Sequence, residues 1–132
     1  MVSAIFGGSA SIAHKTKVIL GNTEIAVSIA DTPKLREQGL SLRQGLSNNE
    51  GMLFLFSDSG RYGFWMKEML FPIDIIWLNK SKEIVFVKEH AEPNSYPEVF
   101  MPNKPAQFVL EVPAGFFALH HLKVGDTLEM NR

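Results

Sequence analysis

From Lys15 onward, short apolar stretches alternate with brief polar breaks, the rhythm of strands joined by turns. Residues 15–20 and 24–30 are separated by Gly21-Asn22, a pair with tight-hairpin chemistry. In the second stretch Ile25, Val27 and Ile29 alternate with Ala26, Ser28 and Ala30, which predicts a half-buried strand. Thr32-Pro33 then supplies a hydroxyl N-cap followed by proline, the start of a helix. That helix is expected to run through Leu35 to Leu42, with a break near Gly39. The wholly apolar run 52–56 predicts a buried strand, and Ser57, Asp58, Ser59 and Gly60 a turn. A further strand is expected over 64–67, and Pro72 separates it from another over 73–78. Polar residues 79–82 make 73–78 and 83–89 a hairpin.

Residues 91–106 hold four of the seven prolines, a loop long enough to suggest a functional or mobile segment. A strand over 107–112, a short helix over 113–122, a turn at Gly125 and a last strand over 127–130 complete the reading. About six to eight strands and two short helices, without repeated strand–helix units, predict an α+β fold. Its sheet should be mostly antiparallel and strongly curved, or closed as a small β-barrel. Residues 1–13 are expected to be a loose N-terminal arm or leader remnant, and 14–132 a single domain.

Composition narrows the classes. At 132 residues, 45% hydrophobic and 20% charged, the chain has the balance of a globular domain. A net charge of −1 provides no electrostatic footprint for nucleic acid. No apolar run reaches the roughly 18–20 residues that span a bilayer as a helix. The absence of cysteine removes thiolate nucleophiles, disulfides and thiolate metal sites.

Candidate chemistry concentrates in 51–78, the densest run of Phe, Trp and Met, which nevertheless contains Lys67 and Asp74. By strand alternation Asp74 shares a face with Ile76 and Leu78, and both faces are apolar. A carboxylate there must be hydrogen-bonded or paired, either as a structural acid for loop N–H groups or as a functional group. Lys67 shares its face with Trp65. It either snorkels to the rim or pairs with Asp74 or Glu111. Glu111 lies with Val109 and Gln107, opposite Phe108, Leu110 and Val112, on a solvated strand face or in a site. Arg36 and Arg43, seven apart on the expected helix, form either a solvated face or an anion clamp. Trp65, Trp77 and Tyr96 are core or a stacking platform. His120 and His121 diverge by about 100° on a helix, and His90 with Glu92 makes only two ligands. No metal and no cofactor is expected, and no nucleophile elbow or phosphate loop is present.

Taken in order, REQGLSLR, GMLFLF, FWMKEMLFPIDIIWL, QFVLEVPAG and LKVGD resemble the prokaryotic domain-of-unknown-function family number 192. Its members show R-x-x-G-L-M-x-R, G-M-L-F, W-M-K-N-T, P-L-D, L-E-x-x-x-G and G-D in that order. The resemblance covers about residues 24–130 and falls on Arg36, Arg43, Trp65, Lys67, Asp74 and Glu111. Ser41 stands where the family has Met, and Glu68-Met69 where it has Asn-Thr. Many members carry a leader, so the resemblance favours export over a cytoplasmic location. The family is uncharacterised, and the reaction, if there is one, is left open. The leading expectation is a small polar ligand, sugar-like or carboxylate-bearing, in a pocket at one end of the sheet. Trp65, Lys67, Asp74 and Glu111 would build it, with the proline-rich loop as rim and Arg36 and Arg43 as further ligand-binding candidates. The alternatives are a hydrolase with an Asp74/Glu111 carboxylate pair, and a protein-interaction module using Tyr96, Val99, Phe100 and Met101.

Overall fold

The computed structural model describes residues 15–131, so the expected N-terminal arm lies outside the described residues. Nine strands form: β1 Thr16–Leu20, β2 Thr23–Ala30, β3 Glu50–Gly60, β4 Phe64–Trp65, β5 Ile73–Leu78, β6 Ile84–Ala91, β7 Val99–Phe100, β8 Ala106–Pro113 and β9 Leu128–Met130. Two short helices, α1 Pro33–Gln38 and α2 Phe116–Leu119, accompany them. Seven strands make one sheet in the order β6-β5-β8-β3-β2-β1-β9, while β4 and β7 form a separate ribbon. Only the β2–β3 pairing is parallel; the other ladders are antiparallel. The sheet curls until its outer strands meet at one corner. There Glu83 bridges Thr127, the Ile84 N–H donates to the Asp126 carbonyl, and the Leu128 N–H donates to the Lys82 carbonyl, both at 2.9 Å. This strongly curled half-barrel is the α+β, mostly antiparallel architecture expected.

Both faces of the sheet are apolar because the central strands alternate large side chains to either side. On one face Leu53, Ile76, Leu78, Leu110 and Val112 pack with Val18, Leu20, Val27 and Leu128, covered by Phe116 and Leu122 around α2. On the other, Met52, Phe54, Ile73, Ile75, Trp77 and Val109 pack beneath Leu40, Met66, Met69 and Phe100. Each fully buried large side chain contributes roughly 1.5–3 kcal/mol. Trp77 also donates its indole N–H to the Tyr62 carbonyl at 2.9 Å, fastening the segment before β4 to the second face.

The helix and two strands differ from expectation. Thr32 caps α1, its hydroxyl accepting from the Leu35 N–H at 3.2 Å, but the helix stops at Gln38. Gly39 at φ 51° takes the left-handed conformation that ends it, so Arg43 lies outside the helix. Residues 57–60 do not turn: β3 continues through Gly60 with a register shift after Leu55. Ser59 and Gln107 side chains meet at 3.3 Å there and support an extended edge. Conversely, β4 ends at Trp65, and Lys67 with Glu68 forms a turn whose Glu68 sits at φ 59°. In the proline-rich segment, Val99–Phe100 zips onto Phe64–Trp65.

Candidate functional site

The second face of the sheet opens beside α1 into a pocket of about 720 Å³. Its walls come from α1 and the turn after it (Arg36, Gln38, Gly39, Leu40, Ser41), from β3 (Phe54, Phe56), from Tyr62 to Trp65, and from Lys67 to Met69. Glu111 of β8 reaches it from the sheet. The aromatic walls hold one another in place: Phe54 and Phe64 meet edge to face at 5.0 Å, and Phe56 stacks on Tyr62 at 3.7 Å. The cross-strand partners of Glu111 are Met52 on β3 and Ile75 on β5, so its face of the sheet is otherwise apolar. Gly51 allows the close approach, since a Cβ there would stand 2.5 Å from the Glu111 carbonyl oxygen.

The site's electrostatics are uneven. Glu111 is 5% exposed, and its Oε1 is buried without a hydrogen-bond partner among the described residues. Desolvation pushes its pKa up to about 8, so at neutral pH it is mostly a neutral carboxyl. The cations stand elsewhere on the wall. Arg36 donates from Nη1 to the Leu55 carbonyl at 2.8 Å and lies 5.1 Å from the Phe56 ring centroid. Lys67 Nζ lies 5.7 Å from the Trp65 ring. Neither is within salt-bridge distance of a carboxylate among the described residues. Exposed Lys34, Glu37 and Glu68 add charges of both signs to the same wall. An aromatic concavity with a half-buried guanidinium, a neutral buried carboxyl and this mixed charged rim can hold a flat or apolar body and address polar groups at its ends.

The expected set therefore divides. Trp65, Lys67, Glu111 and Arg36 come together around the pocket; Asp74 and Arg43 do not. Asp74 is fully buried on the opposite face of the sheet, where Val112 is its cross-strand partner. Its Oδ1 accepts from the His90 N–H at 2.9 Å and the Gly115 N–H at 3.2 Å, and its Oδ2 from the Phe117 N–H at 2.9 Å. It is thus the structural acid of the two roles the strand pattern allowed, tying β6 and the start of α2 to β5. Lys67 meets neither carboxylate but turns onto Trp65, its place in a turn rather than a strand having changed its direction.

Arg43 lies outside the pocket wall and forms no clamp with Arg36; it acts only as the smallest influence on Glu50. The Ser47 backbone N–H holds the Glu50 carboxyl below its usual range, burial opposes this, and Lys15 and Arg43 assist. The Asp74/Glu111 hydrolase pair is not formed, because side chains of residues directly opposite in the ladder share a face. Asp74 pairs with Val112 and Glu111 with Ile75, which puts the two carboxyls on opposite sides of one strand layer. The proline-rich segment borders the pocket's outer wall: Tyr96 and Trp65 rings lie 5.1 Å apart. Phe54, Phe56, Phe64, Tyr62 and Leu40 were not singled out beforehand. Phe54 and Phe56 alternate onto one face of β3, but their link to Glu111 needs the β3–β8 register.

Among the described residues, no group of three or more His, Cys, Asp or Glu is arranged to hold a metal. No helix there is long and apolar enough to cross a membrane.

The chain resembles solved structures throughout the described fold. It superposes on a crystal structure from Sinorhizobium meliloti, described as a candidate transcription regulator, with a TM-score of 0.84 and 30% identity, covering 89% of this chain and 95% of that one. A protein of unknown function from Novosphingobium aromaticivorans gives a TM-score of 0.81 at 25% identity, covering 96% and 99% of the two chains. In sequence it is 35% identical to a UPF0127 protein of Pyrococcus furiosus over 71 residues, 54% of this chain and 55% of that protein. It is 31% identical to one from Thermococcus kodakarensis over 104 residues, 77% and 62%. The matches thus span less than two thirds of the length of these relatives. The profile of DUF192, described as "Uncharacterized ACR", matches residues 16–130. The chain belongs to the DUF192 family, a family without an assigned function.

Proposed function

We propose that this domain binds a small polar ligand in the pocket between α1 and the β3–β8 face. The observation that carries the reading is Glu111. Nine-tenths or more of its side chain is removed from water, yet Oε1 has no partner among the described residues and the residue lines a cavity. Leaving a buried polar group unmade costs about 1–3 kcal/mol, which a fully apolar residue at that position would avoid. A ligand that completes the hydrogen bond recovers this cost. The pocket volume lies within the range of small-molecule sites, and its polar groups converge from three different segments.

The test is a thermal-shift screen of small polar compounds against the wild-type domain and Ser41→Trp, in which an indole occupies the mouth of the pocket. Hits should raise the melting temperature of the wild type and lose their effect in a folded Ser41→Trp variant. If no compound class acts, or hits act equally on both proteins, the pocket is not the binding site.

A second reading, an interaction module, draws on the surface beside the pocket. Trp65, Tyr96, Val99 and Met101 are each 43–49% exposed, and Trp65 is paired with Val99 in the ribbon. Buried Phe100 anchors the same strand from below, which leaves its neighbours presented outward. Chemical footprinting of Trp65 and Tyr96 in cell extract tests this, and undiminished labelling relative to the purified domain would remove it.

A further inference from the structure

We infer that the ligand class of this pocket is an organic carboxylate with a flat, largely apolar body and a neutral hydrogen-bonding group at its far end. The inference rests on the pocket reading above and adds the chemistry of the occupant. Three features of the wall point the same way. The first is the set of cations: Lys34, Arg36 and Lys67 line the wall, Arg36 half-buried, whereas the acids Glu37 and Glu68 are exposed on its rim. Arg36 is fixed in place by the Leu55 carbonyl and the Phe56 ring, and Lys67 by Trp65, so neither needs a protein carboxylate and neither has one among the described residues. A guanidinium has five N–H donors, and one bond to Leu55 leaves part of the fork free for a bidentate carboxylate.

The second feature is the body of the pocket. Phe54 and Phe64 present a rigid edge-to-face pair, and Leu40 and Met69 add apolar surface. Such walls favour a planar ring over a chain of hydroxyls, which would lose water without regaining partners. That argues against a sugar.

The third is Glu111, buried between Met52 and Ile75 with Oε1 unpartnered among the described residues, where desolvation favours its protonated form. A neutral carboxyl both donates and accepts, so it suits a hydroxyl or carbonyl at the far tip of the ligand. A cationic tip at that depth would instead require Glu111 to ionise between Met52 and Ile75, because the other acids of the wall, Glu37 and Glu68, are exposed on its rim.

The experiment uses hydroxyaryl carboxylates of graded length, from 4-hydroxyphenylacetate to 4′-hydroxybiphenyl-4-carboxylate, each with its carboxamide, amine and des-hydroxy analogue. Binding is read from Trp fluorescence and calorimetry at neutral pH. At least one carboxylate should bind about tenfold or more tightly than its carboxamide, the difference of one charge-assisted hydrogen bond. Arg36→Ala and Lys67→Ala should each remove most of that preference. Glu111→Leu should remove the preference for the hydroxyl over the des-hydroxy analogue while keeping the preference for carboxylate. Because Glu111→Leu places an apolar side chain in an apolar layer, it is expected to fold, and Glu111→Gln, which can still donate and accept, should restore the hydroxyl preference.

Equal binding of carboxylate and carboxamide, or tighter binding of the amine, overturns the carboxylate assignment while leaving the pocket reading intact. No binding by any analogue likewise overturns the carboxylate assignment alone, whereas binding that survives Ser41→Trp overturns both.

Discussion

Asp74 and Glu111 are both buried acids on neighbouring strands of the same sheet, and they have opposite fates. Asp74 accepts three backbone N–H bonds from His90, Gly115 and Phe117, and all of its hydrogen bonds are made within the fold. Glu111 has an oxygen with no partner among the described residues and opens onto a cavity. The contrast separates a carboxylate that builds structure from one that awaits something, although burial is nearly the same at 0% and 5% exposure. What differs is the neighbourhood on each face. The end of β6 and the start of α2 wrap the Asp74 side and turn their amides inward. The Glu111 side is covered by side chains of α1 and the β4 segment that stop short of it.

The comparison breaks most easily at Asp74. Asp74→Ala leaves three amides unsatisfied at the junction of β5, β6 and α2, and should cost about 3–5 kcal/mol in urea unfolding. A loss under about 1 kcal/mol would mean those amides find water, and the structural assignment of Asp74 would fall with it.

How much of this could be read beforehand follows from the same pair. Alternation alone assigned Asp74 to the face of Ile76 and Leu78, and Glu111 to that of Val109, and both assignments hold. It could not say that these faces are opposite sides of one layer, because that needs the Ile75–Glu111 register, a property of two strands far apart in sequence. The β1–β2 and β5–β6 hairpins and the Thr32 cap were local and therefore legible. Arg43 was misplaced because two-turn spacing outweighed Gly39, which ends the helix. Lys67 was misplaced because the apolar run Phe64-Trp65-Met66 looked like a strand that continued through it, whereas the chain turns at Glu68 to bring the Leu42 N–H within 2.8 Å of the Glu68 carbonyl. The pocket itself depends on three segments meeting, and no window along the chain contains it.

A second way to sharpen the contrast is pH. Folded Glu111 keeps its proton up to about pH 8, whereas in the unfolded chain it titrates near the ordinary glutamate value of 4.5. Its stabilising effect is therefore fully present below about pH 4.5 and is lost as pH rises to about 8, with a slope of up to about 1.4 kcal/mol per pH unit in between. Comparing denaturant melts of wild type and Glu111→Gln at several pH values isolates that slope. It should vanish in the variant, and an unchanged slope would assign the titration elsewhere.

At fixed neutral pH the mirror image of the Asp74 experiment is Glu111→Leu. An apolar side chain among Met52, Phe54 and Ile75 removes an unpartnered polar atom, so stability should hold or rise by about 1 kcal/mol. A loss comparable to that of Asp74→Ala would show that Glu111 is held by interactions the fold depends on, and the two acids would no longer be different in kind.

The smallest effect is expected at Lys67. Its ammonium is exposed and rests against an exposed Trp65, a contact in which cation–π attraction contributes about 0.5–1 kcal/mol at most. Lys67→Ala frees the side chain from that constraint and should change stability by only about 0.5 kcal/mol, measured as a shift in urea midpoint at constant m-value. The residue lies in a turn whose backbone is secured independently by the Met69 N–H to the Met66 carbonyl at 3.1 Å and by the Leu42–Glu68 bond. A lysine that can be removed without cost to the fold, set in the wall of a cavity beside a second unpaired cation, is arranged as Glu111 is and not as Asp74 is. If Lys67→Ala instead destabilised the domain strongly, Lys67 would belong with Asp74 among the structural charges, and the pocket would be left with Arg36 and the exposed Lys34 as its cations.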